Sequence, residues 1–338
     1  MKNFFPPLFA VMLILVSCKG SGDSQQGILP NVGGSTGEVV VVIDKVKWEG
    51  ELGDKIREVL MAPVEGLPQT EPMFNLVNVS PGSFGGLYIT HRNVITIRTG
   101  EDKTPAATFN SNVYAATQLI INLEGKSDMD IIDLLDKQGK IIIDKINITE
   151  RDRWINYYKR SINSMNYNTL RNKHLVNLYI PSNYALDVNE KGFAWLSYET
   201  PTTTQSVMLH YFDHNGENYF NDDSIQSIRD NLTRAKVKGP VAGTWMKIED
   251  SVPVTISKFR FRDRDYIEMR GLWTLENGFM GGPFVTLVTR DEVNNRFVMI
   301  DGYVYAPRDD KRELIRQVEA ILYTVSFDLG AQNAGGQK

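Results

Sequence analysis

The 338-residue chain contains one cysteine and four histidines, and it has little excess of charge of either sign. A single thiol, Cys18, can neither close an intramolecular disulfide nor build a multi-thiolate metal site, so burial alone has to hold the fold together. Lys and Arg number 37 against 41 Asp and Glu, and this net charge of −4 excludes the basic surface of a typical nucleic-acid-binding protein. With 42% hydrophobic and 23% charged residues, the chain is also not a disordered, collagen-like or coiled-coil protein. Its length and apolar content suffice for two ordinary globular domains.

Long hydrophobic runs are also missing, and a notable short one lies near the start. The nine apolar residues 8–16 follow Lys2, whereas a bilayer-spanning helix needs about 20. A positive charge followed by a short apolar run is typical of a signal peptide. We therefore predict that residues 1–17 are a signal peptide and not a membrane-spanning helix.

The sequence Leu15-Val16-Ser17-Cys18, directly after this run, resembles the lipobox of bacterial lipoproteins. The resemblance implies that residues 1–17 are removed and that Cys18 becomes the first residue, carrying acyl chains such as palmitate. Several acyl chains at about 0.8 kcal/mol per buried CH₂ give durable membrane attachment. Lys19 stands where an aspartate would favour the inner membrane, so we expect an outer-membrane lipoprotein that faces the periplasm or the cell surface. The alternative is an uncleaved segment in which Cys18 is an ordinary apolar residue.

Composition divides the mature chain into four parts. Residues 18–37 are rich in Gly, Ser, Gln, Pro and Asn, which is typical of a flexible tether. Two folded domains are expected at 38–165 and 170–328, separated by the polar, Asn-rich stretch around 163–173. Residues 329–338 are expected to be a disordered tail.

In the first domain we predict an α+β structure. The β-branched run 38–43 predicts a strand buried on both faces. Apolar residues at helical spacing predict a helix that ends before Pro63 and a second helix that begins at Ser127 or Asp128. The spacing in Thr149-Glu150-Arg151-Asp152 is that of a capping box, so we expect a further helix to begin there.

The second domain is predicted to be an antiparallel sheet with helices packed on it, in the order βββαβββα. Strands are expected at 175–180, 193–198 and 207–212 before the first helix, and after it come the hairpin of 254–261 with 266–275, then 284–289 and 297–305. One helix follows Asp222, and the other carries the apolar stripe from Leu314 to Val325.

This order resembles the fold shared by the PsbP and Mog1 proteins and their bacterial relatives. The resemblance rests on an opening strand that ends in Ile180-Pro181, long central hairpins, and a closing helix that runs into Val325-Ser326-Phe327. It implies a binding or assembly role, since those families are mostly accessory modules. Over its whole length the chain resembles a family of Bacteroidota lipoproteins with the domain of unknown function 4837, on the lipobox, the 38–43 strand and the stretch Gly302 to Pro307. No catalytic residue follows from either resemblance.

Metal chemistry has few candidates in the sequence. His210 and His214, with Asp213 between them, lie at a strand end, where side chains four apart are about 13 Å from each other if the strand continues. Neither a metalloprotease spacing nor a calcium-loop pattern is present. We therefore expect a solvated turn followed by a helix cap, and neither a metal nor another cofactor.

Glycine-flanked apolar residues offer a candidate partner-binding site instead. Phe279 and Met280 lie between Gly278 and Gly281, where a loop could present an apolar patch to another protein. The alternative is a tight turn whose apolar residues belong to the core.

Taken together, these residues predict a lipid-anchored cell-envelope protein that acts as a binding or assembly module, with the membrane and an envelope protein as partners. Two alternatives stay open. One is a hydrolase of envelope glycan or peptidoglycan that uses acids between Asp213 and Asp223. The other is a small-molecule or glycan carrier with an apolar pocket.

Overall fold

The computed structural model describes residues 28–213 and 221–327. Within them the chain is an α+β protein with two sheets, one of five strands and one of eight, and helices packed on both. The predicted signal peptide, Cys18, His214 and the predicted tail at 329–338 lie outside the described residues.

The first sheet is mostly parallel, in the order β2-β1-β3-β5-β4. Its strands are β1 (Glu38–Val42), β2 (Asn75–Val79), β3 (Asn93–Thr99), β4 (Ala106–Ser111) and β5 (Leu119–Gly125). Strand β1 pairs in parallel with both β2 and β3, and only β4 runs antiparallel to its neighbour. Residues 39–43 are buried with alternate side chains in two separate cores, which confirms the prediction of a strand buried on both faces.

Three helices accompany this sheet: α1 (Lys45–Trp48), α2 (Glu51–Leu60) and α3 (Asp128–Arg160). Ser127 caps α3, because its hydroxyl accepts from the amide of Asp130 and the Asp130 carboxylate accepts from the amide of Ser127. The prediction that a further helix begins at Thr149 is wrong, since α3 has 33 residues and runs through Thr149 without a break. The Thr149 hydroxyl donates to Lys145 O, one helical turn back, and Glu150 is buried in an ion network.

The second sheet is antiparallel throughout, in the order β10-β11-β12-β13-β8-β7-β6, with β9 paired to β11. Its strands are β6 (Ala185–Glu190), β7 (Phe193–Glu199), β8 (Thr204–Asp213), β9 (Trp245–Ile248), β10 (Thr255–Phe261), β11 (Arg264–Glu276), β12 (Gly281–Asp291) and β13 (Arg296–Tyr305). The helices are α4 (Ser164–Thr169), α5 (Asp222–Lys236) and α6 (Arg312–Leu322). The prediction of an antiparallel sheet with packed helices is confirmed.

One predicted strand of this sheet is wrong. Residues 175–180 form no ladder; their backbone makes an isolated bridge between Asn177 and Ser326 and accepts at Ile180 O from Asn163 N. The alternation that suggested a strand arises because Val176, Leu178 and Ile180 pack into the core of the second sheet. The strand at the edge of the sheet is β6, which lies further along the chain.

The predicted tether extends less far than expected. From Pro30 the backbone is bonded to the first sheet, with Pro30 O accepting from Ala116 N at 2.8 Å and Gly33 N donating to Thr90 O at 3.0 Å. The composition of residues 30–37 suits this conformation as well as a flexible one, since Gly34 and Gly37 have positive φ angles.

The two halves are joined by α3 and α6. Helix α3 contributes Ile142 and Ile146 to the core of the first sheet and Ile155 and Tyr158 to the core of the second. The buried carboxylate of Glu71 accepts from the amides of Lys311 (2.7 Å) and Arg312 (2.9 Å). A residue of the first half therefore caps the first turn of a helix in the second half.

Glu71→Ala is expected to lower the free energy of unfolding by about 2 kcal/mol or more, because it leaves two buried amides without acceptors. Urea unfolding of the two proteins measures the difference. Glu65→Ala is the matched control, since Glu65 lies in the same loop and is exposed. Equal losses for both variants would contradict a capping role for Glu71.

Candidate interaction surface

The predicted metal candidates are only partly assembled. His210 is half-buried on β8, where its Nδ1–H donates to Gly192 O at 2.9 Å. Burial lowers the pKa of His210, and the nearby Lys236 ammonium lowers it further. Asp213 is exposed at the strand end, and His214 lies outside the described residues. Within residues 28–213 and 221–327, no group of three His, Cys, Asp or Glu side chains is placed to hold a metal ion.

The acids considered for the hydrolase alternative do not converge in the part of the chain that the structure describes. Asp222 forms an ion pair with Lys258 at 3.0 Å on the surface. Asp223 lines an open depression of about 300 Å³ together with Ser224, Ser227 and Ile228. This depression lies at the first turn of α5, and it offers one carboxylate where glycoside hydrolysis ordinarily needs two.

Phe279 lies at the tip of the β11–β12 hairpin and is fully exposed, at 107% of the reference area. The turn is tight: Leu275 N donates to Met280 O at 3.0 Å, Gly278 N donates to Leu275 O at 3.1 Å, and Asn277 has a φ of 55°. Strand β9 pairs with the same end of β11, with Trp245 opposite Glu276. The exposed ring is thus carried by a tight hairpin whose first strand is also paired with β9.

Phe279 and Met280 differ in their surroundings. Met280 is half-buried and packs against the core that contains Trp273 and Phe284, both of which are fully buried. Phe279 makes no such contribution to a core cluster. Of the two predicted residues, Phe279 is therefore the one whose apolar surface is available to a partner.

A second exposed apolar side chain, Val241, lies on the neighbouring loop between α5 and β9. Both loops pack on Leu275: a Cβ added at Gly239 would lie 2.8 Å from Leu275 Cδ1, and one at Gly278 would lie 2.8 Å from Leu275 Cβ. We call Val241, Phe279 and Met280 the tip surface. The sequence analysis missed Val241, for which the only signal is an apolar residue within the turn composition Gly-Pro-Val-Ala-Gly.

A buried charged and aromatic layer supports the tip surface. Trp273 Nε1 donates to Val304 O at 3.1 Å, and the Trp273 ring meets Tyr303 edge-on at 5.5 Å between centroids. Beside them Arg229 is completely buried, with its Nε 2.6 Å from Asp301 Oδ2 and its guanidinium 3.6 Å from the Phe284 ring centroid. This close-packed layer links α5 with strands β11, β12 and β13, and so fixes the strands that carry the hairpin.

A glycan carrier could stack sugars on the aromatic residues Trp195, Tyr198, Tyr211, Tyr219 and Phe220, but the described members of this group lie on two faces of the sheet. Trp195 packs on the α5 side, whereas Tyr198 and Tyr211 pack on the α6 side. Tyr219 and Phe220 lie outside the described residues. The described members of this group therefore do not form one platform.

None of the helices in the described ranges is long and apolar enough to cross a membrane.

Comparison with known families bears on each half of the chain separately. Residues 161–324 match the family described as "Domain of unknown function (DUF4837)". This confirms the resemblance that the sequence suggested and assigns it to the second half. Residues 33–159 match a different family, "Domain of unknown function (DUF8532)". No curated protein matches the chain.

Three solved structures are similar to 45% of the chain. The Ran-binding protein Mog1p of Saccharomyces cerevisiae is 7% identical with a TM-score of 0.30, and a mutant of protein Mog1 is 8% identical with a TM-score of 0.30; in each case 90% of that protein is covered. A protein from Bacteroides thetaiotaomicron is 11% identical with a TM-score of 0.25, and the match covers 44% of its length.

Burial of two histidines predicts a pH dependence of stability. Burial lowers the pKa of His174 and of His210 below the ordinary value of about 6.5. The unfolded chain therefore takes up protons below pH 6.5 that the folded protein does not, so the free energy of unfolding should fall as the pH decreases from about 6.5. Urea unfolding at about pH 7.5 and about pH 5.5 measures this fall, and His174→Gln should reduce it. The same fall in the variant and the wild type would exclude His174 as a source.

Proposed function

We propose that this protein is a lipid-anchored cell-envelope protein that acts as a binding or assembly module through its tip surface. The observation that carries the proposal is the fully exposed ring of Phe279 on a hairpin whose strand β11 also pairs with β9. A large aromatic side chain that is exposed in the free protein is typical of the residues that dominate binding energy in protein interfaces.

The rigidity of the hairpin favours binding. Because the turn around Phe279 is already held by backbone bonds, a partner would not have to order it, and that lowers the entropic cost of association. Ion pairs of Lys247 with Glu276 (3.1 Å) and Asp250 (2.8 Å) lie beside the turn of the hairpin, so the apolar tip is flanked by polar groups. An apolar centre with a polar rim is the usual anatomy of a protein interface.

The two alternatives have less support in the described residues. A hydrolase would need convergent acids, whereas Asp223 lines an open depression with two serines and Asp222 is paired with Lys258. A carrier of a small molecule or glycan would need an enclosed apolar pocket, and that depression is open.

The membrane part of the proposal rests on the sequence. The apolar run and the sequence Leu15-Val16-Ser17-Cys18 support lipidation of Cys18, and Lys19 supports retention in the outer membrane. The folded part would then face the periplasm or the cell surface, with an envelope protein as its partner.

Phe279→Ser is expected to weaken partner capture without affecting the fold. The free energy of unfolding should stay within about 0.5 kcal/mol of the wild type, because the ring is exposed. Crosslinked pull-down of the membrane-bound protein should recover several-fold less of any specific partner. Val293→Ser is the matched control, because Val293 is also exposed but lies on the β12–β13 turn, at the other end of the sheet.

Met280→Ser separates packing from binding. It is expected to lower the free energy of unfolding by about 1–2 kcal/mol, because Met280 is half-buried against the core. Equal recovery of partners by Phe279→Ser and by Val293→Ser would contradict the proposed role of the tip surface.

Lipidation is tested by mass spectrometry of the protein purified from membranes. We expect a chain that begins at Cys18 and carries two or three acyl chains, and Cys18→Ser should abolish the modification. A mature protein that retains residues 1–17 would contradict the anchor while leaving the tip surface intact as a proposal.

A further inference from the structure

Exposed apolar side chains collect at one end of the first sheet. Leu87 is 90% exposed, and Tyr88, Val113, Tyr114 and Leu29 are also exposed. They lie on the segments that precede β1, β3 and β5, and these three strands run parallel. The amino ends of parallel strands meet at one edge of a sheet, so all five side chains belong to the same end of the molecule.

Hydrogen bonds join these segments directly. Gln118 Nε2 donates to Ile89 O at 2.7 Å and to His91 O at 2.9 Å, which ties the loop before β5 to the loop before β3. Pro30 O accepts from Ala116 N, and Gly33 pairs with Thr90 and Arg92, so the first described segment runs between the two loops. We call Leu29, Leu87, Tyr88, Val113 and Tyr114 the end surface.

The end surface is built from sequence without charge. Residues 24–37, 72–91 and 104–123 contain no Asp, Glu, Lys or Arg, although charged residues make up 23% of the chain. Two cations beside these segments, Arg92 and Arg153, bind a buried group. Arg92 and Arg153 both bind the buried carboxylate of Glu150 at 2.7 Å.

The loops that carry the end surface also satisfy many of their backbone hydrogen bonds within the protein. Tyr88 N donates to Gly85 O, Tyr114 N to Gln118 Oε1, and Thr117 N to Asn112 Oδ1. Arg153 binds Thr117 O through both Nε and Nη2. A surface that leaves water has to satisfy its polar backbone groups internally, and these loops do so to a large extent.

The position of Cys18 decides which occupant fits this surface. Nine residues lie between Cys18 and Ile28, so a fully extended chain spans at most about 35 Å from one to the other. A lipid attached to Cys18 would therefore hold the bilayer close to the end surface. Tyrosine is enriched where a protein meets the membrane interface, and the surface carries two tyrosines beside its aliphatic residues.

We propose that the end surface lies against the lipid bilayer and inserts Leu87, Tyr88, Val113 and Tyr114 into the boundary between headgroups and acyl chains. This inference rests on the proposed lipid anchor at Cys18, to which it adds a defined orientation of the folded part on the membrane. Because the surface is uncharged, the contact does not require anionic lipid.

A fluorescent label on a single introduced cysteine tests the contact. The folded part contains no thiol, so Leu87→Cys in the full-length lipidated protein can be labelled selectively with an environment-sensitive dye. Val46→Cys is the matched control, because Val46 is equally exposed but follows β1, at the opposite end of the same sheet, among Lys45, Lys47 and Glu49. Each protein is reconstituted in phosphatidylcholine vesicles and in phosphatidylethanolamine–phosphatidylglycerol vesicles, with brominated lipids as quenchers.

We expect several-fold stronger quenching at position 87 than at position 46 in both kinds of vesicle. Protein that floats with the vesicles but is quenched equally at both positions would overturn the end surface and leave the lipid anchor standing. Strong quenching only in the vesicles with anionic lipid would overturn the uncharged mode of contact. Protein that does not float with the vesicles would overturn the anchor, and with it the inference that depends on it.

Discussion

The structure depends on one helix that is buried in two cores at once. Over its 33 residues α3 packs Ile131 to Ile146 against the first sheet, and Ile155 and Tyr158 against the second. A linker between two domains is ordinarily exposed and polar, and it then permits relative motion. Here the connection is itself a core element, so bending it would expose apolar surface in one half or the other.

A buried ion network strengthens the same junction. Glu319 on α6 meets Arg151 of α3 at 3.2 Å and Arg270 of β11 at 3.0 Å. Burial opposes ionisation of this carboxylate, yet the two guanidinium groups hold its pKa below the ordinary value. Removing one partner from such a buried network is costly, because the remaining charges cannot be resolvated in place. The junction therefore combines apolar burial along α3 with ion pairs that specify how α6 lies on it.

Sequence reasoning recovered the features that depend on local pattern. The β1 strand, the helix start at Ser127 or Asp128 and the long hairpins of the second sheet have local signals: a β-branched run, a polar residue before an apolar stripe, and alternation. It failed where tertiary context decides. Thr149 and Asp152 have the spacing of a capping box, but Glu150 between them is the acceptor of a buried network that only the folded chain brings together. Glycine within a helix ordinarily weakens it, yet a Cβ at Gly139 of α3 would lie 2.8 Å from Val59 Cγ1, so this glycine permits the close approach of α2.

Charge placement links the two proposed surfaces. Beneath the end surface, Arg92 and Arg153 bind Glu150 in the interior. Burial lowers the pKa of Arg153 to about 10, but this value is still well above neutral pH, so Arg153 stays protonated. Arg153 can therefore hold both Arg92 O and Thr117 O while the loops above it remain uncharged. At the tip surface Arg229 and Asp301 are likewise buried, and the apolar ring of Phe279 lies outside. In both places buried ion pairs orient the strands and loops beneath an uncharged surface. The proposed neighbour is a bilayer at the end surface and a protein at the tip surface. A chain without disulfides in its folded part has to fix the layer beneath such exposed apolar surfaces by packing and hydrogen bonds, and the buried ion pairs contribute to that here.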